Sequence, residues 1–196
     1  RRRCLTFPCS FLPGRSARLL AMSGPLHQLT LTFDPAEDRM LLRIGTAENT
    51  EYRLWLTRRF VKVLWDALMQ TLDRNTERSK DLPPVARDAV KAVEHQEAVQ
   101  SSDFSQSHAD SNVNLTSNSG PLLVTGAQVK PGNDENTVLN LKTANGMGIQ
   151  FGLKKKLLHA LCHMMISSAQ KADWGLDLTV GDPQVFVPKT PEDVVH

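Results

Sequence analysis

The sequence predicts an α+β fold of two tandem antiparallel βββα modules, an internal repeat whose copies pack together and are joined by a helix and a disordered linker. Three observations predict it: a self-match at a shift of 97 residues, apolar spacing in each copy that changes from alternating to helical, and a polar stretch between the copies. The chain has 196 residues, of which 40% are hydrophobic, so it is long enough to bury a core.

The self-match aligns residues 41–64 with residues 138–161 without gaps. The first copy has twelve apolar residues over these 24 positions, and eleven of them face an apolar residue in the second copy. Identity is five of 24 positions, so either common ancestry or a similar structure could produce the pattern.

The second copy predicts a β-hairpin with a three-residue loop in which Gly146 takes the left-handed position. The strands then pair Leu141 with Ile149 and Leu139 with Phe151. A two-residue turn is disfavoured because it would set apolar side chains opposite polar ones, whereas burial requires them to share one face.

The first copy predicts the same hairpin, with Asn49 in the left-handed position that asparagine tolerates. The predicted cross-strand pairs are Ile44 with Tyr52 and Leu42 with Leu54. One loop geometry therefore satisfies both copies.

A further strand is predicted before each hairpin, at residues 29–33 and 122–129, and a helix after it, at residues 58–73 and 155–172. Thr57 is the predicted N-cap of the first helix. These elements set the first module at residues 22–75 and the second at residues 120–180. Neither module alone is expected to be very stable at this size, which favours pairing within one chain or between chains.

The remaining segments have other compositions. Residues 76–119 are predicted to be a linker with one helix at about 84–100 and a disordered Ser/Asn-rich stretch. Residues 181–196 are predicted to be an extended tail. Residues 1–21 are Arg-rich and acid-free, and we expect a disordered or non-native extension outside the fold: sequence upstream of a start at Met22, a cleaved targeting segment, or a basic tail.

Composition excludes several function classes. The formal charge of +2 depends on five arginines before Met22, since the rest of the chain has 18 basic and 21 acidic residues; it therefore gives no general argument for nucleic-acid binding. The sequence contains no apolar run long enough for a membrane span, no disulfide framework and no Cys-x-x-Cys pair. Nucleophile motifs, phosphate loops and paired catalytic carboxylates are missing as well, so we expect a cytoplasmic, non-enzymatic protein without catalytic residues or cofactors.

The predicted hairpin of the first copy creates a candidate binding surface. Its register sets Arg43 opposite Arg53 on the face away from the core, with Trp55 beside them. Like charges at opposed positions cost stability, so we expect this face to contact a ligand or another protein surface. An indole and two guanidiniums could stack a base and hold phosphates, or bind an acidic protein segment, or be buried against the other module or a second subunit.

Basic residues recur where each helix begins: Arg58 and Arg59 in the first copy, and Lys154, Lys155 and Lys156 in the second. Positive charge at a helix N-terminus opposes the helix dipole, and a bound anion would relieve this conflict. The alternative is that the side chains extend into solvent at slight cost. Any phosphate binding here would be local and would weaken with salt.

His159 and His163 are spaced i, i+4 and could hold a metal, although the sequence lacks the glutamate of a zinc-protease motif. They align with Lys62 and Asp66, which predicts solvent-facing side chains, while Cys162 between them is predicted to be buried. We therefore predict no metal site and keep the two histidines as weak candidates. His27, His95 and His108 lie in unrelated segments and form no visible catalytic triad.

In topology, tandem sheet-and-helix modules joined by a linker resemble PUR-repeat and Whirly-like single-strand-binding domains, although the predicted strand count is one short. The resemblance implies modules paired about a pseudo-twofold axis and a nucleic-acid-binding sheet. Two hypotheses follow. The first is a protein-interaction or assembly module that self-associates or binds a protein partner, and the alternative is a single-stranded nucleic-acid-binding protein that uses the same surface.

Overall fold

The computed structural model describes residues 18–21, 25–75, 82–104, 114–115, 120–132 and 136–181. The predicted α+β class is confirmed: the described residues form one sheet of six longer strands with two short ones, and three helices. The strands are β1 (Arg18–Ala21), β2 (Leu26–Asp34), β3 (Arg39–Thr46), β4 (Thr50–Leu56), β5 (Asn114–Leu115), β6 (Leu122–Pro131), β7 (Thr137–Thr143) and β8 (Met147–Leu153), and the helices are α1 (Arg58–Asn75), α2 (Pro84–Gln100) and α3 (Lys155–Lys171).

The sheet is continuous across the two halves of the chain, in the order β1-β8-β7-β6-β4-β3-β2, with β5 also paired to β4. The halves meet where β4 and β6 pair in parallel, with Leu54 opposite Leu122 and Trp55 opposite Leu123. Two modules that pack together as separate units are therefore not confirmed, because the edge strand of each half takes the other half as its neighbour. The two strands that would otherwise be exposed sheet edges, β4 and β6, therefore pair with each other within one chain.

The predicted hairpin registers are confirmed. Leu141 pairs with Ile149 and Leu139 with Phe151 in β7 and β8, and Gly146 has φ 84° in the loop. Because every one of these apolar side chains is buried, burial selects the loop geometry.

The hairpin of β3 and β4 has the same form. Ile44 pairs with Tyr52 and Leu42 with Leu54, all four are buried, and Asn49 has φ 56°. Asn49 donates its backbone N–H to the Thr46 carbonyl, as Gly146 does to that of Thr143, so the two loops close alike.

The helices cross between the halves. α1 packs against β6, and α3 packs against β2. The Ser168 hydroxyl of α3 donates to the Leu31 carbonyl of β2 at 3.3 Å. Beyond α3, the buried Trp174 contacts Phe33 edge-to-face and donates its indole N–H to Asp38 at 2.8 Å. α3 and β2 therefore run in the same direction, and each helix covers the first long strand of the other half.

Both module helices form where their apolar stripes predict. The Thr57 hydroxyl accepts the Phe60 N–H at 3.3 Å, which confirms the predicted N-cap of α1. Leu64, Leu68 and Leu72 are buried along α1, and one core cluster spans both halves. Among the helices of the described ranges, none has both the length and the hydropathy that crossing a bilayer requires.

Two short strands lie where no strand was predicted. β1 pairs in parallel with β8, although residues 1–21 were expected outside the fold, and β5, within the predicted disordered stretch, pairs in parallel with β4. The other predictions for residues 1–17, 105–113, 116–119 and 182–196 fall outside the described residues. β1 and β2 are the two end strands in the order, and since Ala21 and Leu26 are five positions apart in the chain, these two residues lie within about 18 Å of each other.

Candidate functional site

A cavity of about 660 Å³ lies between β2, α3 and the residues that follow α2. Its volume is in the range of binding pockets, and its lining is mixed polar and apolar. Strands β2 and β3 supply the lining residues His27, Gln28, Leu29, Thr30, Leu31, Thr32, Leu41 and Arg43. The segment after α2 supplies Ser102, Asp103 and Phe104, and α3 supplies Lys156, Leu157, Ala160, His163, Met164, Ser167, Ser168 and Lys171. We call this cavity the β2–α3 groove.

The groove wraps around the outer edge of β2. Leu29 and Thr30 both line it, although successive side chains of a strand point to opposite faces, and a single cavity can touch both faces only around an edge. The Leu31 carbonyl accepts the Ser168 hydroxyl, so it points away from β3. Because backbone groups alternate along an antiparallel ladder, the N–H and C=O of Leu29 point outward too. Within the described part of the chain, no hydrogen bond reaches these two groups.

The cationic ends of the groove come from α3. Lys156 lies in the first turn of the helix and Lys171 is its last residue, and both are exposed. The Lys156 ammonium donates to the Ser101 carbonyl at 2.5 Å, an acceptor that carries no formal charge. Fifteen residues of helix separate the two lysines, which corresponds to about 22 Å.

A cluster of three histidines, His95, His159 and His163, lies where α2 meets α3, and His163 is the member of the cluster that lines the groove. The Nδ1 atoms of His95 and His159 are 3.3 Å apart, so one ring donates to the other. The ring centroids of His95 and His163 are 6.2 Å apart, and Phe104 contacts His163 at 5.0 Å. The prediction that His159 faces solvent is wrong: it is 1% exposed, because α2 covers the position that aligns with Lys62 in the first half.

The surroundings of His95 and His159 favour the neutral forms of these two rings. Burial, then the charges of His95 and Lys155, lowers the pKa of His159 to about 4. Burial and His163 also lower the pKa of His95. The predicted burial of Cys162 is confirmed, and burial raises the pKa of its thiol to about 12, which makes it a poor nucleophile.

The opposed arginines of the predicted surface are bridged by a buried carboxylate. Arg43 pairs with Arg53 and Leu41 with Trp55, as the register predicts. Glu51, two residues before Arg53 and on the same face, accepts from the Nε atoms of both arginines at 2.7 Å, and its side chain is 0% exposed. The like-charge conflict is therefore resolved within the chain, and Trp55 is half-buried beside it.

The structure separates the other predicted binding residues. Arg58, Arg59 and Lys154 are exposed at the starts of α1 and α3 and do not line the groove. Lys155 forms an ion pair with Glu94 of α2 at 2.5 Å. Only Arg43 and Lys156 of the predicted set meet in the groove, because α3 crosses to the other half of the sheet.

Sequence reasoning missed Glu51, His95 and the edge of β2. The alternation of β4 places Glu51 on the face of Arg53, which was a usable signal, whereas nothing local brings His95 to α3. Within the described ranges, no group of three or more His, Cys, Asp or Glu side chains could hold a metal ion, so the pair His159 and His163 is not developed as a metal site.

Comparison with protein-family models, with curated proteins and with solved structures found no match. The resemblance to PUR-repeat and Whirly-like domains therefore gains no support from these comparisons. Any function has to be argued from the groove itself.

Proposed function

We propose that this protein is a non-enzymatic protein-interaction module whose β2–α3 groove binds an extended segment of a partner protein. One observation carries the proposal: the groove follows a strand edge on one side and a helix on the other. An added strand gains main-chain hydrogen bonds from the edge, and its alternate side chains fill the groove.

The lining supports an extended peptide. The outward N–H and C=O of Leu29 are one donor and one acceptor for an incoming backbone. Leu157, Ala160 and Met164 of α3 supply an apolar wall at helical spacing, opposite Leu29 and Leu31 of β2. Alternate side chains of a bound strand would rest on this wall.

The nucleic-acid alternative has weaker support. Single-strand binders use aromatic side chains as stacking platforms, and among the described residues Phe104 is the only Phe, Tyr or Trp that lines the groove. Trp55 lies outside it, and both arginines that were expected to hold phosphates are bound to Glu51. Oligonucleotide binding is therefore kept as an outcome of the tests.

We also propose that the two halves derive from one duplicated strand–strand–strand–helix unit. The shared loop geometry at Asn49 and Gly146 and the reciprocal crossing of α1 and α3 support this origin. The short strands β1 and β5 occupy comparable places, since each pairs in parallel with the last strand of a half. Self-association and a cytoplasmic location stay predictions.

The first experiment selects peptides of about 12 residues from a random display library on the immobilised protein, and measures the affinity of enriched peptides by fluorescence anisotropy. Ser167→Trp fills the groove and is expected to weaken binding about tenfold or more. Thr179→Trp, at an exposed position beyond α3, is the matched control. An absence of enriched peptides, or equal affinity for both variants, would contradict the proposal.

A second variant tests the strand edge. Leu29→Pro removes an N–H that points away from β3, and proline is tolerated at such edge positions. We expect a folded protein with at least about tenfold weaker peptide binding. Thr30→Pro removes an N–H directed at β3 and is expected to unfold the hairpin, as circular dichroism would show. Undiminished binding by folded Leu29→Pro would exclude strand addition at this edge.

A further inference from the structure

We infer that the segment recognised by the β2–α3 groove is acidic: an extended stretch of about seven residues with a carboxylate side chain at each end and apolar side chains between. This inference rests on the proposed function and names the chemistry of its partner.

The charge of the lining is the first argument. Among the described residues, three permanently cationic side chains line the groove, Arg43, Lys156 and Lys171, against one carboxylate, Asp103. Glu51 binds Arg43 at 2.7 Å, so two lysines remain against Asp103 and the rest of the lining has an excess of positive charge. Complementary charges at a rim select partners and speed association more than they add affinity.

The spacing of the charges is the second argument. Lys156 and Lys171 stand at opposite ends of α3, about 22 Å apart along its axis. An extended strand rises about 3.3 Å per residue, so two carboxylates that reach both lysines belong to residues about six positions apart. His27–Thr32 of β2, which faces the same groove, has a similar length.

The middle of the groove sets the pattern between the charges. Leu157, Ala160 and Met164 face Leu29 and Leu31, so this part of the groove favours apolar groups. An edge-bound strand directs alternate side chains toward α3 and the others to solvent. The preferred segment therefore alternates apolar and polar residues between its acidic ends.

The probe is the peptide acetyl-Gly-Glu-Thr-Val-Thr-Val-Thr-Glu-Gly-amide, whose glutamates lie about 20 Å apart when extended and share one face of the strand with the two valines. Its matched controls carry Gln or Lys in place of both Glu. We expect the Glu peptide to bind about tenfold more tightly than the Gln peptide at low salt, and the Lys peptide most weakly. Equal affinities for the Glu and Gln peptides would overturn the acidic specificity.

Charge reversal makes the test specific to the two lysines. Lys156→Glu combined with Lys171→Glu is expected to reverse the order, so that the Lys peptide binds more tightly than the Glu peptide. Lys62→Glu, exposed on α1, is the matched control and should keep the original order. An unchanged order in the double variant would overturn the assignment.

The outcomes separate this inference from the function beneath it. If library peptides bind the groove but the Glu and Gln probes bind equally, the interaction module stands and the acidic partner does not. If neither the library peptides nor the probes bind, the proposed function fails as well. If an oligothymidylate displaces the Glu peptide at a lower concentration than the Gln peptide does, the groove prefers nucleic acid.

Discussion

The histidines between α2 and α3 predict that this protein loses stability as the pH falls through the range from about 6.5 to about 4. His159 has a pKa of about 4 in the folded chain, against an ordinary value of 6.5. The unfolded chain therefore binds this proton first, and protonation favours unfolding. His95 acts in the same direction, since its pKa is also lowered.

The magnitude follows from the two pKa values. At about pH 5, a histidine with these folded and unfolded pKa values destabilises the fold by about 2 kcal/mol. We halve this to about 1 kcal/mol, because half-exposed His163 sits at the edge of the cluster and solvent there screens the charge. Other charged groups that face the cluster are Lys155 and Glu94, which pair with each other.

The assay is urea denaturation of wild type and His159→Gln at about pH 7.5 and about pH 5. Glutamine keeps a polar partner for His95 and does not titrate. We expect the free energy of unfolding to fall by about 1 kcal/mol more in wild type than in the variant. His27→Gln, at an exposed position, should retain the wild-type pH dependence. The reasoning is refuted if wild type and folded His159→Gln lose the same stability on acidification.

Three further predictions concern the fold, each read from chemical denaturation. Glu51→Gln removes the carboxylate between two arginines and should lower the free energy of unfolding by about 2 kcal/mol. The loss is smaller than for a fully buried pair because Arg53 is 35% exposed. The control is Glu37→Gln in the exposed pair with Arg39, which should change the free energy of unfolding by no more than about 0.5 kcal/mol. Equal losses would contradict the bridge. Gly146→Ala should cost about 1 kcal/mol because φ is positive, and Gly146→Asn less; the opposite order would contradict the loop geometry. Trp174→Phe replaces the buried indole by a smaller ring and loses the bond to Asp38, so a cost of at least about 1 kcal/mol is expected, and no loss of stability would contradict the role of this contact.

The sequence was sufficient to predict those elements of the fold whose geometry depends on which nearby side chains are buried. Both hairpin registers follow from the need of Ile44 and Tyr52, or Leu141 and Ile149, to share one buried face. The loop geometries follow from the conformations that Asn and Gly tolerate.

The residues of the candidate site could be predicted from the sequence only in part. Arg43 and Lys156 were singled out for their charge and do meet in the groove, but Trp55 and the arginines of α1 do not. Phe104 and His95 carried no sequence signal, since their role depends on contacts with α3 that lie about 60 residues away along the chain.

The amino-acid sequence by itself determined strand alternation, helix stripes and turn chemistry, because each of these depends on neighbours within a few residues. Only the tertiary structure decided that β4 meets β6 and that α3 crosses to β2. Such contacts depend on how whole faces and edges are satisfied together, and many strand orders bury the same stripes equally well. The groove exists because of that crossing, so its chemistry became visible only when distant segments were brought side by side.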